Sequence, residues 1–325
     1  MEDLRNISTK YNNCILFIFA HIVMQKEPLI SICIPTYNRH KLLKTCLDRI
    51  VSQKWFDTET IEIVISDNAS PDITKSLVHE YQKKYLNIKY FRNEENVWAN
   101  LNLFKAAERA TGKYIWFMGD DDQIIDWWLR QIIKTINIHH NIALLHTNMI
   151  AGVHNIEIKD WITYFKNLLH HNKASKLLVF LTYLSALVVK REDFIQHFDE
   201  FKIKFPYKLK EAYSHFYIFI RCINNKNIAL LGDIIIWWVW DRTDKTYRRN
   251  NSKIWYDLVI INGINKIYED SEFLDSIGIT KKELDVFKHN FLKIYRMVKI
   301  GNFMKRIWIY KPMVYIFKKL LFKRI

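Results

Sequence analysis

Glycine and proline are scarce in this 325-residue chain, at seven and five. So few turn-formers argue against an all-β chain of many short strands. Cysteine is scarcer still: Cys14, Cys33, Cys46 and Cys222 show no paired spacing. That argues against a zinc ribbon or a disulfide framework and fits a reducing compartment, with Cys33 and Cys46 expected as buried thiols. A long hydrophobic run is also missing. The strongest, residues 14–24 (CILFIFAHIVM), has 11 residues, against the roughly 20 that span a bilayer. It has a charged start but no small-residue cleavage signal. Residues 1–27 are read as a leader, either an interfacial segment or, with Met24 as the start, a non-native extension. Acid is absent after Asp285, whereas residues 286–325 hold eleven Lys and Arg of a net charge of +15. A negatively charged partner near that end is therefore expected.

Half of the residues are apolar, which excludes global disorder. Residues 29–35 (LISICIP), 61–66 (IEIVIS), 88–92 and 114–118 (YIWFM) are short apolar runs, read as buried strands. Residues 40–53, 73–85 and 99–110 between them have helical spacing. Strand and helix in alternation predict an α/β fold, with a mostly parallel sheet flanked by helices and right-handed crossovers. Further on, residues 127–138 read as helix, 142–146 and 186–189 as strands, 190–197 and 212–222 as helices, and 228–240 as a β-prone run. From residue 253 the pattern is mostly helical.

Ligands of open α/β sheets bind at the carboxyl ends of strands. Three of the four predicted strand ends carry polar clusters: Thr36-Tyr37-Asn38-Arg39, Asp67-Asn68 and Asp120-Asp121-Asp122. Three adjacent carboxylates repel if buried together, and Mg²⁺ or Mn²⁺ relieves that repulsion. Read alone, the triplet equally suits a solvated turn capping the next helix, with Asp122 or Asp126 at its start. Asp67 can accept a hydrogen bond from a nucleobase, although Asp-Asn-Ala-Ser-Pro is also good turn chemistry. Pro35, Thr36, Tyr37 and Arg39 offer a hydroxyl, an aromatic face and a cation to a nucleotide, or form an ordinary strand-to-helix loop.

In order, these pieces resemble the family 2 glycosyltransferases of GT-A fold over roughly residues 29–128. The family's Pro-x-Tyr-Asn is matched by Pro35-Thr36-Tyr37-Asn38, and its acidic base-reading turn by Ser66-Asp67-Asn68-Ala69-Ser70. Its Asn-x-Gly loop, following Asn and Ala-x-Gly-x-Tyr-Ile are matched by Asn96-Val97-Trp98, Asn102 and Ala110-Thr111-Gly112-Lys113-Tyr114-Ile115. Its metal motif is matched by Gly119-Asp120-Asp121-Asp122, in a form that resembles a sub-branch including abequosyltransferase-like enzymes. Two departures stand out. Trp98 replaces a common Gly, and Gly119 replaces a common Asp, which leaves Asp120 with Asp122, or Asp121 with Asp122, as the working pair.

The resemblance implies inverting transfer of a sugar from a nucleotide-diphosphate sugar to an acceptor hydroxyl, with a divalent metal at Asp120, Asp121 and Asp122. Pro35, Thr36, Tyr37, Arg39, Asp67, Asn96, Asn102, Asp120 and Asp121 would contact the donor. Inversion requires a base on the acceptor hydroxyl. The family's Glu-Asp pair is absent, and His215 and Glu211 stand in that region, with Asp193 and Asp199 as weaker choices. His215 on an apolar helix also reads as a core histidine. The pairs His139-His140 and His170-His171 lack metal-ligand spacing and read as surface residues. Arg242, Lys245, Tyr247, Arg248 and Arg249 would neutralise the leaving diphosphate or be simply solvated.

The expected organisation is a catalytic domain over 28–250, with its nucleotide-sugar half ending near residue 125, and a helical basic region over 251–325. The acceptor is expected to be a glycan or lipid-linked oligosaccharide in surface polysaccharide, lipopolysaccharide or O-antigen assembly. Apolar residues at three-to-four spacing after Pro312, with Lys and Arg on other faces, predict docking on an anionic membrane at its cytoplasmic face. Because the basic residues are mixed with Ile, Trp, Leu and Phe, nucleic-acid binding is disfavoured. A nucleotidyltransferase is disfavoured by the lack of a Gly-rich loop after the first strand.

Overall fold

The computed structural model describes residues 27–124, 128–146, 156–160, 184–208, 214–224, 226–231, 236–238 and 269–276, with isolated positions besides. The expected leader up to residue 26, Cys14, the basic residues from Arg242 to Arg249, His170, His171, Glu211 and the expected C-terminal helix lie outside the described residues.

Three strand–helix pairs open the fold: β1 (Ile30–Thr36) with α1 (His40–Val51), β2 (Ile61–Asp67) with α2 (Thr74–Gln82), and β3 (Ile88–Arg92) with α3 (Ala99–Glu108). Then come β4 (Tyr114–Phe117), β5 (Asp122–Ile124), α4 (Trp128–Ile138), β6 (Ile142–His146) and β7 (Ile156–Asp160). Among the described residues there follow β8 (Leu187–Lys190), α5 (Arg191–Lys204), α6 (Ser214–Ile223), β9 (Asn227–Leu231), β10 (Ile236–Trp238) and the short α7 (Ser271–Ser276).

Eight strands form one sheet in the order β3-β2-β1-β4-β8-β6-β9-β7. The first four are parallel; β8 runs antiparallel to both β4 and β6, β6 is parallel to β9, and β7 is antiparallel to β9. Strands β1, β2 and β4 are buried almost throughout, as parallel strands covered on both faces must be. Ile32, Ile34, Ile63 and Trp116 pack on one face with Leu43, Leu47 and Ile50 of α1 and Leu129 and Ile132 of α4. Cys33, Val64, Ile115 and Phe117 pack on the other with Phe104 of α3, Phe194 and Phe198 of α5 and Phe219 of α6. This α/β/α sandwich is the expected fold class.

The order 3-2-1-4 has a consequence for ligand binding. The chain moves outward from β1 to β3 with α1 and α2 on one face, then crosses back to β4 with α3 on the other. The direction reverses between β1 and β4, and a crevice opens where the loops leaving those strands part.

The structure sharpens two readings. The β-prone run 228–240 contributes to two strands in different sheets. β9 lies in the main sheet, whereas β10 pairs antiparallel with β5 in a separate ribbon, with Trp238 opposite Asp122. An apolar run signals burial without saying against which partner. In turn, Asp122 is no solvated helix cap: it opens β5 and is buried. Cys33, Cys46 and Cys222 are free and buried, and His139 and His140 are exposed.

Candidate functional site at the carboxyl edge of the parallel strands

The polar clusters at the strand ends form one connected edge. Asn68 N donates to Thr36 O at 2.9 Å, and Asn93 N to Asp67 O at 2.8 Å, extending the β1–β2–β3 pairing into the loops. Asn38 N donates to Ser70 Oγ at 2.8 Å. Across the switch point, Thr36 Oγ1 donates to Asp120 Oδ2 at 2.7 Å and Arg39 Nη1 to Asp120 Oδ1 at 2.9 Å. Backbone strain concentrates here. Asn38, Ala69 and Trp98, in the loops after β1, β2 and β3, have φ of 55°, 64° and 73°. Left-handed non-glycine residues are sparse and cluster at functional sites.

Asp120 is 3 % exposed. Burial pushes its carboxyl up to about 6; the Arg39 guanidinium opposes this and the Asp121 carboxylate adds to it. Asp121 is partly exposed and lies 3.7 Å from the same Arg39 nitrogen. Asp122 is held from the second half of the chain. Ser185, in the turn Leu184–Ala186 before β8, donates through Oγ to Asp122 Oδ2, and Gly119 N donates to Ser185 Oγ at 2.9 Å. A Cβ on Gly119 would lie 2.8 Å from Asp122 Oδ2 and 2.9 Å from Asp121 Oδ1. The two carboxylates fill the space an Asp would need, so the glycine follows from how the triplet is folded. Cys46 donates to Gly119 O behind the loop at 3.7 Å, and burial pushes its thiol well up, with Asp122, Asp120 and Asp121 adding to the effect.

Asn96 and Asn102 belong to an asparagine network. Asn68 Nδ2 donates to Asn96 Oδ1 at 2.8 Å, and Asn93 Nδ2 to Asn68 Oδ1 at 3.1 Å and Asn102 Oδ1 at 2.8 Å. Asn102 Oδ1 also accepts from Ser66 Oγ, and its Nδ2 donates to Ser66 O, both at 2.8 Å. Asn102 is thus a buried strut between β2 and α3. Asp67, expected to read a base, is fully covered. It accepts from Ser70 N at 2.8 Å, Tyr90 Oη at 2.5 Å and Arg92 Nη1 at 2.8 Å. Its carboxylate therefore orders the loop and holds Arg92. Tyr37 and Trp98 are exposed. Trp98, with φ of 73° and ψ of 152°, has a backbone conformation that glycine adopts more readily than other residues.

His215 is 6 % exposed, its Nδ1 lies 3.2 Å from Asn100 Oδ1 and its ring edge meets Phe219. Asp193 and Asp199 are engaged on α5, by Lys226 and by Lys202 at 2.6 Å. The sequence reading missed Ser185, Asn93, Asn100, Tyr90 and Arg92. Only Arg92 and Asn93, directly at the end of a predicted strand, carried a signal that could have found them.

Among the described residues no three His, Cys, Asp or Glu are grouped as a metal site. The donor chemistry nonetheless fits a divalent cation held in part. Asp120 Oδ1 and Asp121 Oδ2 converge on one cationic nitrogen of Arg39, and Mg²⁺ or Mn²⁺ binds through one or two carboxylates plus substrate phosphates.

A doubly covered sheet with its switch point at an acidic edge defines a GT-A fold, and comparison with known proteins agrees. The chain is similar in structure to Staphylococcus aureus TarS (TM-score 0.54, 20 % identity, 81 % of this chain and 42 % of that one). It is likewise similar to the mannosyltransferase PcManGT of Pyrobaculum calidifontis, solved with GDP-Man and Mn²⁺ (TM-score 0.53, 15 % identity, 88 % and 82 %). Residues 31–189, just under half of the chain, match the model of Glycosyl transferase family 2. Abequosyltransferase RfbV of Salmonella typhimurium is 30 % identical over 217 residues, 62 % of this chain and 63 % of that protein. The GalNAc(5)-diNAcBac-PP-undecaprenol beta-1,3-glucosyltransferase of Campylobacter jejuni is 34 % identical over 111 residues, 34 % of this chain and 35 % of that one. The chain thus spans less than two thirds of the length of these curated relatives.

Proposed function

We propose that this chain transfers a sugar from a nucleotide-diphosphate sugar to an acceptor hydroxyl in the assembly of a surface polysaccharide. The observation that carries the reading is the joining of Thr36, Arg39 and Asp120 across the switch point between β1 and β4. Tyr37, exposed beside them, offers an aromatic face to the base, and Pro35 is the penultimate residue of β1. Arg39 and Arg92 supply cations for the diphosphate. Asp120 and Asp121, with Asp122 beside them, would hold Mg²⁺ or Mn²⁺, which when bound neutralises charge developing on the leaving diphosphate.

The acceptor proton needs a base. The burial of His215 and its contact with Asn100 support a positioning role at the start of α3. The base is then Glu211, and Glu211→Gln lowers turnover by about 10²–10⁴-fold with nucleotide binding retained. A comparable loss in His215→Gln at an unchanged Tm would return the role to His215.

The relatives above, named for abequosyl transfer and for transfer to an undecaprenol-linked glycan, support a glycan or lipid-linked acceptor. Among the described residues no helix is long and apolar enough to cross a membrane. The basic segment 302–325 is proposed to dock on the anionic cytoplasmic face instead. Equal flotation with anionic liposomes by the full chain and by a chain ending at Gly301 would exclude this. The activity itself is tested by offering the purified chain a panel of nucleotide sugars with glycan and lipid-linked acceptors. Release of nucleoside diphosphate only with an acceptor present is expected; release from none of them overturns the reading.

A further inference from the structure

In this structure the cation of the aspartate cluster is a side chain. Arg39 Nη1 donates to Asp120 Oδ1 at 2.9 Å and lies 3.7 Å from Asp121 Oδ2. One nitrogen stands at the point where two adjacent carboxylates converge, and those carboxylates are the ones that would hold the ion. Two cations cannot occupy it, because close like charges in a buried setting repel strongly.

Arg39 is built to leave. It precedes α1, so its side chain turns without moving the helix. It is 29 % exposed, whereas the Asp120 it holds is 5 % exposed at its side chain. Two contacts of the cluster are made by other groups: Thr36 holds Asp120 Oδ2 at 2.7 Å, and Ser185 holds Asp122 Oδ2. A guanidinium also has a second strong partner in this chemistry, since its fork pairs with phosphate oxygens as well as with carboxylates.

Building on the nucleotide-diphosphate reading above, we propose that Arg39 is a placeholder cation that couples donor binding to metal binding. Without nucleotide it bridges Asp120 and Asp121 and keeps a divalent ion from binding alone. When a nucleoside diphosphate enters, Arg39 turns to its phosphates and the two carboxylates are released to the ion. The coupling is reciprocal: the ion raises nucleotide affinity by the factor by which nucleotide raises ion affinity.

The test is Mn²⁺ titration of the full chain, read from the EPR signal of the free ion, without nucleotide and with saturating UDP, GDP, CDP or TDP. Wild type is expected to bind Mn²⁺ about tenfold or more tightly with the matching nucleotide than without it. Arg39→Gln is expected to bind Mn²⁺ alone about tenfold more tightly than wild type, with most of the gain from nucleotide gone. Arg39→Lys keeps the charge and should remain close to wild type without nucleotide. Should Arg39→Gln lose its native circular dichroism, the wild-type dependence on nucleotide and the lysine variant still decide. Equal Mn²⁺ affinity of wild type with and without nucleotide, or an Arg39→Gln chain no tighter than wild type, overturns the coupling and leaves the transfer reading standing. No Mn²⁺ binding by any chain in any condition overturns the metal assignment together with the coupling.

Discussion

Two buried carboxylates sit at opposite edges of the parallel strands, and their surroundings differ. Glu62, at the start of β2, is 1 % exposed; it accepts from Ser31 Oγ at 2.6 Å, Thr111 N at 2.8 Å and Thr111 Oγ1 at 2.6 Å, and pairs with Lys89. Burial pushes its carboxyl up, but Lys89, Ser31 and Thr111 together hold it below the ordinary range. Asp120, at the carboxyl edge, is equally buried, yet its carboxyl stands well above that range even with Arg39 and Thr36 in place. At the amino edge the protein supplies enough donors for a settled charge, so the group ties β1, β2 and the turn before β4 together. At the carboxyl edge it leaves negative charge under-compensated, which costs stability unless a cation or ligand arrives. The difference is the one expected between a folding device and the binding site proposed above.

The largest effect expected from breaking that contrast is at the carboxyl edge. Asp122→Ala should lower transfer by about 10²–10³-fold or more while circular dichroism stays native. Full activity in EDTA would remove the metal from the reading. A smaller loss tests whether the second half of the chain supports the edge. Ser185→Ala deprives Asp122 and Gly119 N of their shared partner and should lower metal affinity or turnover by about 10–100-fold. Wild-type values for both would show that the β5–β10 ribbon alone positions Asp122.

The amino edge should respond in stability alone. Glu62→Ala leaves Ser31, Thr111 and Lys89 without their acceptor and should cost about 1–3 kcal/mol in urea unfolding, with turnover per folded molecule unchanged. The sign with pH follows from the lowered carboxyl. Its stabilisation is present above the ordinary glutamate value of 4.5 and is lost as pH falls through the folded value, so the gap to wild type should be full at neutral pH and narrow below that value. A gap that widens on acidification would contradict the assignment. The smallest effect expected is a gain. Trp98→Gly relieves a left-handed backbone that glycine adopts freely and should stabilise the chain by about 1 kcal/mol. A lower Tm would mean that the indole makes contacts worth more than the strain.

The parallel half of the molecule was legible because its information is local. Each strand is a short apolar run ended by polar turn residues, each helix follows with one apolar stripe, and β1 to β4 formed close to the expected residues. The mixed half was less legible, because antiparallel neighbours are chosen by distance in space. Nothing in residues 228–240 announces that Ile236–Trp238 leaves the main sheet for β5.

The same division runs through the site. The sequence by itself determined that polar residues follow β1, β2 and β4, that an acidic triplet ends β4, and that the fold is α/β, because strand period, turn chemistry and charge are written in neighbouring residues. Only the tertiary structure decided which of those residues are saturated by partners within the chain. It covered Asp67 and Asn102 with partners from β3 and the loops, placed Ser185 against Asp122 from 63 positions away, and set Arg39 between Asp120 and Asp121. Burial and hydrogen-bond saturation are properties of the packed chain, and they distinguish a carboxylate saturated by donors that order a loop from one buried with fewer of them.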